Sequence, residues 1–440
     1  DWANIGAGGG TFSGIASGTL ANGSTVVINT DGTVGIVTIS GSADPSAGTP
    51  VVFESGNTTY IGAAYDSNNN KVVVTYMDAG NSNYGTAVVG TVSGTSISFG
   101  TPVVFESATT NWTSPVYDSS NDKVVIAYND AGNSQYGTAI VGTVSGNSIS
   151  FGTPVVFESA RSDYISAVYD STNSKVVICY EDAGNSSYGT AIVGTVSGTS
   201  ISFGSAVVFE SNNTSWISPT FDSTNGKVVI AYRPGSTTYG NAIVGTVSGT
   251  SISFGSAVVF ESAETTYISS TFDSTNGKVI IAYTDYANSS YGTAIVGTVS
   301  GTSISFGSAV VFESADTGHI SAKYDSTKEK VVIAYRDNGN SGNGTGIVGT
   351  VSGTSISFGS AVVFESASTS TCATAYDSTN GKIVIAYKDL GNSSYGTAVA
   401  FSANNLETNL TSSNFLGFSD AAYTNGQTAT VQIVGSIDDA

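Results

Sequence analysis

Seven positions recur along the chain at intervals of 52, 52, 52, 51, 52 and 52 residues and carry Tyr60, Trp112, Tyr164, Trp216, Tyr267, His319 and Thr371. Six of the seven are aromatic. Aromatic faces set beside Asn, Thr and Ser have two chemistries open to them. They stack on the apolar faces of sugars while the polar groups bond the sugar hydroxyls, or they grip an aromatic or peptide side chain. A third use is structural, as packing between repeated sheets. Alternation of Trp with Tyr speaks for recognition at Trp112 and Trp216, because packing alone would favour one solution repeated. The residues just ahead of each aromatic also differ from copy to copy, from Gly56-Asn-Thr-Thr-Tyr60 through Ala160-Arg-Ser-Asp-Tyr164 to Ala315-Asp-Thr-Gly-His319. Variable segments on an invariant frame are where recognition usually resides. Tyr60, Trp112, Tyr164, Trp216, Tyr267 and His319 are therefore the candidate ligand-binding residues.

No catalytic, cofactor or metal constellation accompanies them. His319 is the sole histidine, so it has no second imidazole for a metal and no relay partner. Asp78-Ala-Gly-Asn-Ser82 and its counterparts gather oxygens of the kind hard cations take, but Asp-x-Gly-Asn is foremost a turn sequence. The fourth copy replaces it with Arg233-Pro234-Gly235. Arg161, Arg233 and Arg336 lie in different copies, whereas a sialidase-like grip on a carboxylate needs its arginines together. The repeated Asp and Glu residues are explained by turns and strand ends. Unequal acids such as Asp163 or Asp316 would have to carry any hydrolysis, and enzymatic activity is disfavoured. Cys179 and Cys372 read as buried free thiols.

The frame that must position the aromatics is the repeat itself. Tyr-Asp-Ser-x-x-x-x-Lys-Val-Val-Ile-Ala-Tyr recurs with small variations seven times, anchored by Asp66, Asp118, Asp170, Asp222, Asp273, Asp325 and Asp377. A period near 50 marks a propeller or a solenoid. In the third copy four runs have strand character, 164–169, 175–180, 190–196 and 200–209, separated by clusters of turn residues. The second run is apolar on both faces, as in a sheet held between two others. The first carries small residues suited to a crowded axis.

The seventh copy stops after its third strand near Phe401, while an extra fourth strand, residues 49–55, precedes the first copy. The expectation is an all-β, seven-bladed β-propeller of four-stranded antiparallel blades over residues 46–401. The N-terminal strand 49–55 completes the last blade, and a ring so closed needs no capping repeat. On that fold the aromatics would ring the axial mouth, among the loops joining fourth to first and second to third strands.

Residues 1–45 open Gly-rich and then read as a β-hairpin, 25–29 with 33–37 across Thr30-Asp31-Gly32. Residues 402–440 form a C-terminal β flank in which Asn425-Gly-Gln-Thr428 echoes Asn22-Gly-Ser-Thr25, so both ends are expected to supply strands to one small module. A net charge of −20 with thirteen Lys and Arg leaves no basic stripe for phosphates. Nucleic acid and anionic membranes are thus not expected partners, and a strongly anionic ligand is disfavoured. No apolar run is long enough to span a bilayer, so membrane insertion is not expected. Without a leader-like segment or an initiating Met, the chain is expected to be a processed or excised part of a longer one.

Tyr188-Gly-Thr-Ala-Ile-Val-Gly-Thr-Val-Ser-Gly-Thr-Ser-Ile-Ser-Phe-Gly204 and Val207-Val-Phe-Glu-Ser211 resemble repeats in large structural and tail-associated proteins of marine bacteriophages, across residues 49–401. Residues 409–418, with 425–428, resemble the segment that follows the propeller in those proteins. The resemblance implies a virion appendage or tail-fibre component, extracellular or on the virion. It would attach to a host-surface glycan or receptor and contact other virion proteins through its terminal flanks. It transfers no binding residues. Three functions are open at this point: a non-enzymatic adhesion module, a structural spacer or decorating subunit assembling through its flanks, and a glycan depolymerase. The residues favour the first.

Overall fold

The computed structural model describes residues 11–40, 44–404, 407–408 and 415–432. The Gly-rich opening, residues 1–10, and residues 409–414 of the C-terminal stretch lie outside them. The chain divides into two compact units, one of Pro45–Ala403 and one of Asp1–Asp44 with Asn404–Ala440.

The larger unit is built of repeated antiparallel strands. In the third copy these are Val155–Asp170, Lys175–Asp182, Tyr188–Ser197 and Ser200–Phe203. Local chemistry explains each reversal. The Asp170 carboxylate accepts from the backbone N–H of Asn173 at 2.9 Å and from its side-chain amide at 2.8 Å, which folds the first turn back on itself. Gly198, at φ +60°, takes the first turn position before Ser200, where a left-handed residue matches the twist of a two-residue hairpin. Between these turns Val176, Val177, Ile178, Cys179 and Tyr180 are all fully buried.

Two details depart from the sequence reading. The fourth strand, expected unbroken over 200–209, stops at Phe203 and resumes at Val207. The cause is Gly204: a Cβ there would lie 1.9 Å from the Thr250 carbonyl of the next copy, so the chain bends where that turn closes on it. The expected loop between fourth and first strands is also missing. Val207–Asp222 is one 16-residue strand, and its equivalents are continuous in every copy except the fifth, which breaks between Glu261 and Thr265. The first part of each long strand pairs with one copy and the rest with the next, as Val155–Arg161 pairs with Tyr136–Ala139 and Ser162–Asp170 with Lys175–Asp182.

Packing between copies repeats the same two contacts. The buried Tyr180 hydroxyl donates to Glu158 at 3.2 Å, and Tyr76 to Glu54 at 3.1 Å, so each buried phenol is satisfied by a glutamate from the preceding long strand. Phe209 lies flat over Gly189, where a Cβ would come within 2.6 Å of its ring. Phe53, from the N-terminal strand, does the same over Gly396 of the last copy. That strand pairs with Tyr395–Ser402, with Val51 opposite Ala398 and Asn57 opposite Tyr395. One apolar cluster accordingly joins Ala386, Ala398 and Ala400 of the last copy to Phe53, Val72 and Tyr76 of the first.

The smaller unit is a five-stranded sheet in the order Thr11–Ile15, Thr428–Gln432, Phe415–Ser419, Thr25–Ile28, Val34–Ile36. Leu20, Val26, Val34, Ala429 and Val431 form its core, so both ends of the chain contribute to it.

If the N-terminal strand is integral to the last copy, Phe53→Ala costs about 3–5 kcal/mol, the range for a buried Phe and the same as Phe209→Ala inside the array. Chemical denaturation of both variants checks this. A cost at Phe53 well under half that at Phe209 would mean the terminal strand is only loosely attached.

Candidate functional site

Each candidate aromatic sits two residues after the chain begins pairing with the second strand of its copy. In the third copy Asp163 is opposite Glu181 and Ser166 is opposite Cys179, so Tyr164 and Ile165 together face one residue. This is a β-bulge, and it occurs in all seven copies. The residue inside it is left-handed every time: Tyr60 at φ +51°, Trp112 at +52°, Tyr164 at +49°, Trp216 at +53°, Tyr267 at +49°, His319 at +51° and Thr371 at +51°. Glycine ordinarily fills such a bulge position. A side chain there costs about 1–2 kcal/mol, and strain of this kind gathers at working sites.

The bulge turns the six rings into a contiguous arc. Ring centroids are 5.0 Å apart for Tyr60–Trp112, 4.5 Å for Trp112–Tyr164, 5.9 Å for Tyr164–Trp216, 4.5 Å for Trp216–Tyr267 and 4.9 Å for Tyr267–His319. Thr371 leaves the seventh position without a ring. The packing use considered for these residues is present as well: Trp112, Tyr164, Trp216 and Tyr267 each lie against an apolar cluster shared with the next copy. All six remain half-buried, with surface left for a ligand. Trp112, Tyr164 and Trp216 also line a cavity of about 760 Å³ walled by the first strands of all seven copies.

The environment tunes the titratable members. Burial raises the Tyr60, Tyr164 and Tyr267 phenols above their ordinary range, so they stay protonated donors. His319 is pushed down to about 4 by burial, with Arg336 and Lys388 adding to it, so its ring is neutral near pH 7.

A second variable ring went unnoticed in the sequence. Met77, Asn129, Glu181, Arg233, Thr284, Arg336 and Lys388 lie directly across from the residue that precedes each aromatic. The signal was there, as the position between the second-strand Tyr and the loop Asp differs in nearly every copy while its neighbours hold. Some of these side chains are engaged. Asn129 donates to the Ser162 carbonyl at 2.8 Å, and Arg233 pairs with Glu264 at 3.1 Å. Arg161 pairs with Asp163 at 2.7 Å on the same rim.

The loop carboxylates once weighed as cation ligands cap short 3-10 turns. Asp78 accepts from Asn81 N–H at 3.1 Å and Asp182 from Asn185 N–H at 3.2 Å. Among the described residues no three His, Cys, Asp or Glu side chains converge as a metal would need. Cys179 is buried and Cys372 half-buried, both free.

No protein-family model matches the chain, and no curated protein matches it in sequence. Its fold has solved counterparts. BP39L lectin from Burkholderia pseudomallei superposes with a TM-score of 0.59 at 8% identity, covering 81% of this chain and 98% of that one. AofleA from Arthrobotrys oligospora gives a TM-score of 0.47 at 9% identity, covering 79% and 97%. The chain is an all-β fold of repeated antiparallel units that resembles lectin β-propeller folds.

Two outcomes follow. Thr371→Asn raises stability by about 1 kcal/mol, because Asn tolerates the left-handed bulge and a β-branched residue does not; no gain in thermal unfolding would mean the bulge is unstrained. His319 has a folded pKa below its ordinary 6.5, so its contribution to stability is complete above 6.5 and is lost as the pH falls toward 4. Proton NMR of this single histidine should give a midpoint near 4, and a midpoint near 6.5 would show the ring free in solvent.

Proposed function

We propose that the chain is a non-enzymatic carbohydrate-binding module whose ligand lies against the aromatic arc. The observation that carries this reading is that six of the seven left-handed bulge positions hold aromatic rings. The fold is satisfied by glycine at such a position, so the strain is accounted for by what the rings contact. Half-buried, neutral, closely spaced aromatics with Asn, Ser and Thr beside them suit stacking on sugar faces. The fold shared with a protein described as a lectin is consistent with this assignment.

In this reading the larger unit is a seven-bladed β-propeller closed by its N-terminal strand, with the arc at the mouth of its axial cavity. The pairing of residues 51–57 with the last copy and the seven first strands around one cavity support the blade count. The resemblance to phage tail repeats extends the proposal to attachment of a virion to a host-surface glycan, with the smaller unit serving contacts to other virion proteins.

The test is a glycan array with the purified chain, followed by calorimetry on the sugars it selects. Trp112→Ala with Trp216→Ala removes two ring contacts of about 0.5–1.5 kcal/mol each, a loss of roughly 5- to 100-fold in affinity. Sugar binding unchanged in the folded double variant, or sugar release by the wild type, would overturn the reading.

A further inference from the structure

The cations of this acidic chain are unevenly used. Among the described residues two ion pairs form, Arg161–Asp163 and Arg233–Glu264. Arg336 and Lys388 are in neither. Both lie close enough to His319 for their charges to add to the burial that holds its imidazole neutral. They come from the sixth and seventh copies, opposite Gly318 and Ser370, and so border the place where Thr371 interrupts the arc. The Arg336 Nε is buried with no hydrogen-bond partner, and a buried charged donor left unmade is among the costliest polar defects. Burial lowers the Lys388 ammonium below its ordinary range.

The acids nearest this point are occupied. Asp316 accepts from the Asn338 amide at 2.9 Å, Asp337 from Asn340 N–H at 3.1 Å, and Asp389 from Gly391 N–H at 2.9 Å. Lys323, four residues beyond His319 on the same strand, lines the cavity, where burial lowers its pKa.

We propose that Arg336 and Lys388 bind the anionic substituent, a carboxylate or a sulfate ester, of an acidic sugar whose neighbouring rings stack along the arc. This rests on the carbohydrate-binding reading and names the ligand class for it. Half-buried Arg336, in neither ion pair, supplies one charge, the Lys388 ammonium adds another from the adjacent copy, and neutral His319 provides a ring edge beside them. The net charge of −20 led to the opposite expectation, but that charge is a sum over turn and cap carboxylates distributed through every copy. A ligand responds to the local field at its own contact, where the unpaired groups are positive.

The single histidine makes the site observable apart from sugar stacking. In the full chain, titration with sodium sulfate or monomeric galacturonate should raise the His319 pKa from its low value, because an anion offsets the two cations that depress it. In Arg336→Gln with Lys388→Gln the pKa should start higher and no longer respond. Calorimetry with oligogalacturonate, a sulfated galactan oligomer and neutral oligomannose separates the two readings. The double variant should lose roughly 10-fold or more for whichever acidic oligomer binds, with the salt dependence flattened and any neutral binding retained. An anion response that survives the double substitution, or is absent in wild type, overturns the anion site even if neutral sugars bind. Loss of all sugar binding with the sulfate response intact would instead overturn the arc. Lys388→Gln alone, at a half-buried position, serves if the double variant is unstable.

Discussion

The larger unit depends on one arrangement: a single long strand belongs to two sheets. Its first residues complete one copy and its last residues begin the next, with no loop to absorb the change of direction except at the break in the fifth copy. The register of each copy is thereby handed to the following one, and the buried Tyr–Glu bond and the Phe–Gly contact are fixed by the same hand-over. The change of partner has to be made inside the strand, between Arg161 and Ser162 in the third copy, and a bulge with one left-handed residue follows two residues later. Seven bulges then place seven side chains at equivalent points around one cavity. The candidate site follows from that constraint, and the copies differ in which side chain occupies each bulge and in the residue across from its neighbour.

Much of this was legible in the residues. The 52-residue period, the four strand-like runs and the terminal mismatch at Phe401 and residues 49–55 are statements about periodicity, which tertiary packing did not overrule. The candidate rings were legible too, since internal comparison separates Trp112 and Trp216 from an invariant frame. The bulge was not. Aromatic side chains disfavour positive φ, so nothing in Ser-Asp-Tyr164-Ile announces a left-handed residue, and the segment read more naturally as a loop. The bend at Gly204 was equally hidden, because its cause is a carbonyl 46 residues away in the chain. The second variable ring was legible but its meaning was not: Arg336 stands in the sequence as one of three arginines in separate copies, and it takes the sheet register to set it and Lys388 on either side of the break in the arc.

Charge illustrates how a global sum misleads about a local surface. The repeat carboxylates accept bonds from turn amides and buried phenols, where they act as parts of the scaffold. What surrounds the arc is set by the unequal residues: an ion-paired Arg161 and acids in the third copy, and Arg336 and Lys388, outside both ion pairs, in the sixth and seventh. An elongated ligand crossing the arc would therefore meet a direction as well as a surface, with its acidic group drawn to one side.

The measurement that bears most directly on this account is a crystal structure of the chain with a short acidic oligosaccharide. The account requires sugar rings lying against the arc around Trp112, Tyr164 and Trp216, with the bulge torsions unchanged. Sugar bound between the outer strands or on the smaller unit, with the arc bare, would contradict it.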